Sequence, residues 1–242
     1  YRATHKLQIS GPRHRASPTI MHRWRSSLSA AALPRNGAER RAVAIGLMGG
    51  SFNPAHQGHR HIAVAALRRL ALDEIWWLVS PQNPLKDSTG MAPLQSRLAS
   101  ARTVARHPRI KVRNIETRLG SRYTVDVLSW LSARAPHARF VWIMGADNLQ
   151  QFHAWQRWSW ILNTMPVAVF DRPPYSLRAI NGKADRRFRR FQVAEKRARR
   201  LSRMVPPAWV FLHTVRHPAT ATDIRARQKV KIDGCETVAE ET

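Results

Sequence analysis

Six short apolar runs recur between Ala42 and His213, and segments of helical spacing or turn chemistry separate them. They are "AVAIGLM" (42–48), "EIWWLVS" (74–80), "RIKVRNI" (109–115), "RFVWIMG" (139–145), "PVAVF" (166–170) and "AWVFLH" (208–213). The first is continuously apolar and bounded by Gly49 and Gly50, the mark of a strand buried on both faces. After it, "HRHIAVAALRRLAL" sets Ile62, Ala65, Ala66 and Leu70 at helical spacing. "PLQSRLASARTVARH" is amphipathic and stops before Pro108, "YTVDVLSWLSARA" ends before Pro136, and "QRWSWIL" predicts a shorter helix. "TATDIRARQKV" opens a last helix, with Thr220 or Thr222 as its N-cap. Strand and helix alternating in this way predict an α/β fold, a doubly wound parallel sheet with helices on both faces.

Ligands of such sheets sit beyond the carboxyl ends of the strands, where the strand order reverses. The polar clusters fall at those ends: 49–59, 80–86, 145–155 and 214–225. Four polar loops converging on one edge define a site by topology alone. The densest is "GGSFNPAHQGHRH" (49–61). Gly49 and Gly50 permit a tight turn and close approach of backbone to a ligand. Pro54 stiffens the loop, and a helix starting near Gln57 directs its N-terminal amides and the positive end of its dipole at the crevice. His56, just outside that helix, and His59, in its first turn, lie on one side, where both imidazoles can donate to phosphate oxygens. A metal site of His56, His59 and His61 lacks any neighbouring carboxylate or cysteine, and His61 projects elsewhere on the helix. A merely structural helix start leaves the Gly-Gly-Ser-Phe-Asn-Pro prefix without a purpose. A phosphate cradle accounts for the whole stretch.

"GGSFNPAHQGH" resembles the signature loop of the Rossmann-like adenylyltransferases of the nucleotidyltransferase superfamily, whose H-x-G-H core falls on His56 to His59. "SPQNPLK", "RLGSRYTVDVL", "MGADNLQQFHAWQRW" and "TATDIR" follow in the order and spacing of the bacterial nicotinate-nucleotide adenylyltransferase family. The likeness covers about 45 to 230. It implies a Rossmann-like sheet of nucleotidyltransferase type, with a basic helical insert near the C-terminal third. It also implies the family's reaction: ATP and nicotinate mononucleotide give deamido-NAD and pyrophosphate. The mononucleotide phosphate attacks the α-phosphorus directly, with Mg²⁺ carried on the ATP phosphates and no protein ligand to the metal.

The same resemblance assigns residues. Gly49, Gly50, Ser51 and Phe52, with the side chains of His56 and His59, fall on the ATP phosphates. Thr222 and the helix start behind it fall on the β- and γ-phosphates, and Arg225 adds a planar cation over the leaving pyrophosphate. Thr220 stands where the family usually has Ser and keeps the hydroxyl. Gly145 and Asp147 match the family's nucleotide-facing Gly-x-Asp. Asp147 serves the adenosine ribose or caps the next turn. On the mononucleotide side, Trp155 falls at the ring-stacking position, whereas Trp158 and Trp160 read as core. Tyr123 and Thr124 match a pair that holds the nicotinate end, and Asn83 and Lys86 match a loop flanking the mononucleotide. His56, His59 and Arg225 are thus the expected catalytic residues. Close alternatives are an adenylyltransferase preferring nicotinamide mononucleotide or phosphopantetheine, the latter typically shorter and without "MGADNLQQFHAWQRW".

Charge raises one rival of another class. The chain carries 41 Lys and Arg against 15 Asp and Glu, a net +26 that would attract polyanions. More than half of it sits in residues 1–41 and in "KADRRFRRFQVAEKRARRLSR" (183–203). No aromatic-interleaved motif accompanies these runs, so Arg on solvated faces is the expectation, and no specific nucleic-acid partner. Residues 1–40 read as an Arg-rich leader without periodicity, disordered or an upstream extension ahead of Met21. The expected folded domain is 42–230, followed by a tail at 231–242. The single Cys235 excludes an internal disulfide framework and fits a reducing, cytoplasmic setting. No apolar stretch approaches the 18 residues of a membrane span, and the oligomeric state, a homo-oligomer included, is left open.

Overall fold

The computed structural model describes residues 42–81, 90–171, 182–214, 221, 224 and 225. Among these residues seven strands form one parallel sheet: β1 (Ala44–Gly50), β2 (Glu74–Val79), β3 (Ile110–Arg113), β4 (Arg139–Gly145), β5 (Val167–Phe170), β6 (Gln192–Val193) and β7 (Trp209–Leu212). Their order is β3-β2-β1-β4-β5-β7-β6, every neighbouring pair parallel. The chain therefore winds outward from β1 in one direction through β2 and β3. It then returns to β4 on the other side, and the β1–β4 boundary is the switch point.

Why the strands read as apolar runs is plain from their two faces. On one face, Met48, Ile75, Trp77, Val79, Val141, Ile143, Phe170, Val210 and Leu212 join a core with Leu67, Leu70, Leu98 and Ala101. Those partners come from α1 (Gln57–Arg69) with the residue that ends it, and from α2 (Leu94–Ala105). On the other face, Ile45, Leu47, Trp76, Leu78, Trp142, Met144, Val167, Val169, Trp209 and Phe211 pack against helices of a second layer. These are α3 (Ile115–Leu119), α4 (Thr124–Arg134), α5 (Ala146–Gln151), α6 (Trp158–Thr164) and α7 (Lys183–Phe188). Alternate residues of each strand enter opposite cores, as a period of two requires. Among the described residues no helix is long and apolar enough to cross a membrane.

Three local expectations change. The buried stripe of α1 is Ala63, Ala66, Leu67 and Leu70, while Ile62 and Ala65 are only partly buried. The third strand stops at Arg113, and Ile115 begins α3, where it turns into the second core. The Arg-rich stretch from Lys183 is a short helix, then 3₁₀ turns (Arg189–Phe191 and Glu195–Arg203) around the two-residue edge strand β6. Ala184, Phe188, Ala198 and Leu201 are buried, so small and apolar side chains anchor it while its arginines face outward. Arg187 lies over the Trp158 ring and Arg190 over Phe191, stacking on aromatics as guanidinium groups do. Glu195 accepts from Arg69 on α1 and from the His213 amide, fastening this segment to the end of β7.

Candidate active site

A cavity of about 660 Å³ opens at the carboxyl ends of β1 and β4, the switch point of the sheet. Its size suits a nucleotide-sized ligand. It is lined from the β1–α1 turn by Gly49, Gly50, Ser51, Phe52, Asn53, His56 and His59, and from β4 and α5 by Gly145, Asp147 and Asn148. The start of α4 contributes Arg122, Tyr123 and Thr124, and the stretch after α5 contributes Trp155. Arg225 completes the lining, its Nη1 donating to the Asn53 carbonyl at 2.7 Å. Every site residue expected from sequence therefore meets around one cavity, save Asn83, Lys86 and Thr222. Those three lie outside the described residues, as does Thr220.

The β1–α1 turn is built differently from a simple glycine hinge. Gly49 has no positive φ; its missing Cβ makes room for the Trp142 ring, whose Cη2 would stand 2.6 Å from a Cβ there. The left-handed residue is Phe52, with φ 47°. Its ring is buried, stacked on Trp77 at 5.0 Å and tilted against His59 at 4.8 Å. Burial of that ring offsets the backbone strain and fixes the direction in which the turn leaves the strand.

His56 and His59 form a reciprocal cap at the start of α1. The Gly58 amide donates to His56 Nδ1 at 3.1 Å, and the His56 amide donates to His59 Nδ1 at 3.2 Å. An Nδ1 that accepts from an amide carries no proton, so the ring proton of each imidazole sits on Nε2. The two rings lie 3.9 Å apart, His56 almost fully buried, and both line the cavity. Two imidazoles thus stand at a helix N-terminus, the positive end of its dipole, in the lining of one cavity. His61 does not line the cavity. Among the described residues no group of three His, Cys, Asp or Glu side chains is arranged to hold a metal ion.

The aromatic side of the cavity rests on Trp155. Its half-buried ring meets Trp142 edge-on at 6.1 Å and Phe152 at 5.1 Å, which locks its plane. Tyr123 precedes the first turn of α4, and its amide donates to Ser121 Oγ at 3.1 Å. The indoles Trp158 and Trp160 pack on the second core, as their residue type suggested.

Sequence reasoning missed two buried charges. Arg97 on α2 and Glu116 on α3 are both almost fully buried, and Glu116 lines the cavity. Burial pushes the Glu116 carboxyl up to about 7, while a hydrogen bond with Ser80 and the charge of Arg97 pull the other way. Neither residue belongs to a glycine- or histidine-rich signal, and a polar residue on a short amphipathic helix reads as solvent-facing. Arg122 was also missed, although it sits inside the quoted "RLGSRYTVDVL".

A switch-point cavity with an amide and imidazole cradle on its first turn defines an α/β nucleotide-binding enzyme of the nucleotidyltransferase class. Residues 47–227 match the model of the family described as Cytidylyltransferase-like. Proteins named probable nicotinate-nucleotide adenylyltransferase resemble the chain closely. That of Bradyrhizobium sp. (strain ORS 278) is 52% identical over 181 residues, covering 75% of this chain and 94% of its own. One from Methylorubrum extorquens is 52% identical over 183 residues, covering 76% and 99%. The chain belongs to the bacterial nicotinate-nucleotide adenylyltransferases of the cytidylyltransferase-like family. The Plasmodium falciparum nicotinic acid mononucleotide adenylyltransferase complexed with NaAD shares the fold at TM-score 0.57 and 14% identity, over 76% of this chain and 83% of that one.

Proposed function

We propose that this chain transfers the adenylyl group of ATP to nicotinate mononucleotide, giving deamido-NAD and pyrophosphate. The observation that supports the reading is the reciprocal His56–His59 cap, which brings two imidazoles and a helix N-terminus together in the lining of the cavity beside the β1–α1 turn. An oxygen of the mononucleotide 5′-phosphate attacks the α-phosphorus, and the bond from that phosphorus to the β-bridging oxygen breaks. Pyrophosphate leaves with the electron pair. A phosphate dianion is already nucleophilic at neutral pH, so the residues position and stabilise rather than abstract a proton.

In this reading the amides of Gly49–Phe52 and the imidazoles of His56 and His59 hold the ATP phosphates. Arg225, anchored on Asn53, stabilises the leaving pyrophosphate together with Thr222. Gly145 and Asp147 take the adenosine end. Trp155 stacks on the pyridine ring, Tyr123 and Thr124 hold its carboxylate end, and Asn83 and Lys86 flank the mononucleotide. Arg122 beside Tyr123 supplies a cation there, which favours the acid over the amide. Imidazole, amide N–H and guanidinium donors of the turn and Arg225 match phosphate oxygens, and the carboxylates in the lining, Asp147 and Glu116, belong to no three-ligand metal cluster among the described residues. In this reading Mg²⁺ arrives on the ATP phosphates, where it would neutralise charge. In the purified protein, pyrophosphate release requires both nucleotides. Exchange of labelled pyrophosphate into ATP without the mononucleotide would refute direct attack, because it requires an adenylylated enzyme.

A further inference from the structure

Arg97 does not line the cavity, yet its guanidinium touches three separate pieces of chain around it. Nη1 donates to the Ser51 carbonyl at 2.7 Å and to the Ser80 carbonyl at 2.6 Å. Nη2 donates to the Pro81 carbonyl at 2.8 Å and Nε to the Ala92 carbonyl at 2.9 Å. Ser51 belongs to the β1–α1 turn, Ser80 and Pro81 to the exit of β2, and Ala92 to the entry of α2. Asn53, on the same turn, repeats the link: its Nδ2 donates to the Gly90 carbonyl at 3.0 Å, and its Oδ1 accepts from the Ala92 amide at 3.2 Å. Asn53 also holds Arg225 through its carbonyl.

These bonds have a common consequence. A guanidinium is a rigid planar fork, so carbonyls bonded to its arms cannot move independently. Arg97 is 2% exposed, which leaves no water to substitute for a lost carbonyl partner, and Glu116 supplies its opposing charge from α3. The turn that the proposed function gives to ATP is thereby joined to both described flanks of the 82–89 segment, Ser80–Pro81 and Gly90–Ala92.

We propose that Arg97 is a positioning residue that builds the ATP turn and the two flanks of the mononucleotide loop as one rigid unit, so that the two substrate subsites are coupled. The inference rests on the adenylyltransferase reading. Arg97→Lys keeps the charge but replaces the fork with a point donor. The variant retains a cooperative unfolding transition, while kcat/KM for ATP and for nicotinate mononucleotide both fall, by about 10²-fold if the loops shift by about 1 Å. Wild-type protein binds nicotinate mononucleotide more tightly in the presence of α,β-methylene-ATP, and this coupling falls to unity in the variant. A folded variant with wild-type kinetics, or with a defect confined to one substrate, overturns the proposal. A measurement on unaltered protein covers the case in which the variant does not fold. Hydrogen exchange with α,β-methylene-ATP alone slows at Ser51–Asn53 and also at Gly90–Ala92, and protection confined to the turn overturns it. Activity of the wild type on ATP and nicotinate mononucleotide is scored separately, so a wrong substrate assignment is not mistaken for a failed coupling.

Discussion

Replacing Glu116 with glutamine should change how stability depends on pH, in a direction and by an amount set by its surroundings. The carboxyl is buried on α3, and its Oε2 accepts no hydrogen bond. Burial raises its pKa from an ordinary 4.5 to about 7, despite the opposing hydrogen bond with Ser80 and charge of Arg97. Between those two values the folded chain keeps a proton that the unfolded chain has released. The folded state therefore binds more protons, and stability falls as pH rises through the window. The loss is complete above about 7. A shift of this size corresponds to about 3 kcal/mol, near 1.4 kcal/mol per pH unit. Glutamine does not titrate, and the attraction between Arg97 and the ionised carboxylate is already contained in the shift, so it adds no separate term to the difference. Urea unfolding of both proteins at pH 5, 6, 7 and 8, at fixed ionic strength, isolates the term, since the other titrating groups cancel in the difference. Because pH 5 already lies above the unfolded value, the variant should gain about 2.5 kcal/mol on the wild type from the lowest to the highest pH. Parallel profiles would refute the reasoning and mean that Glu116 is well solvated or paired in the fold.

Two further substitutions separate the ends of the cavity. His59→Ala removes one preorganised donor and one half of the α1 cap; turnover should fall about 10²–10³-fold, and near-normal turnover in steady-state assays contradicts the assigned role. Trp155→Ala should raise KM for the mononucleotide and spare KM for ATP, with the opposite pattern sinking the stacking assignment.

Much of this was legible in the chain because buried strands leave a coarse signal. A strand packed on both faces must be apolar at consecutive positions, so "AVAIGLM" and "RFVWIMG" announced central strands, and the polar loops between them announced the site. The two-residue strand β6 left no such signal, since Gln192 and Val193 inside an Arg-rich run carry no periodicity. The histidines were legible as a pair at a helix start facing the site, and both line the cavity, but their reciprocal bonding through Nδ1 depends on the helix start adopting one geometry. Gly49 was legible as a necessary glycine, but one reason for it was not: the ring of Trp142, far along the chain, fills the space of a Cβ, and only the sheet brings them together. Arg97 and Glu116 were illegible on principle. Arg97 bonds backbone carbonyls, and Glu116 meets Ser80 and the charge of Arg97, all contributed by segments that tertiary packing alone brings together.

The most direct test offers purified protein MgATP with equimolar nicotinate mononucleotide and nicotinamide mononucleotide, and identifies the dinucleotide formed alongside pyrophosphate. Deamido-NAD should predominate and form in step with pyrophosphate. Predominant NAD would contradict the assignment of the acid end to Arg122, Tyr123 and Thr124, and pyrophosphate release without either dinucleotide would contradict adenylyl transfer itself.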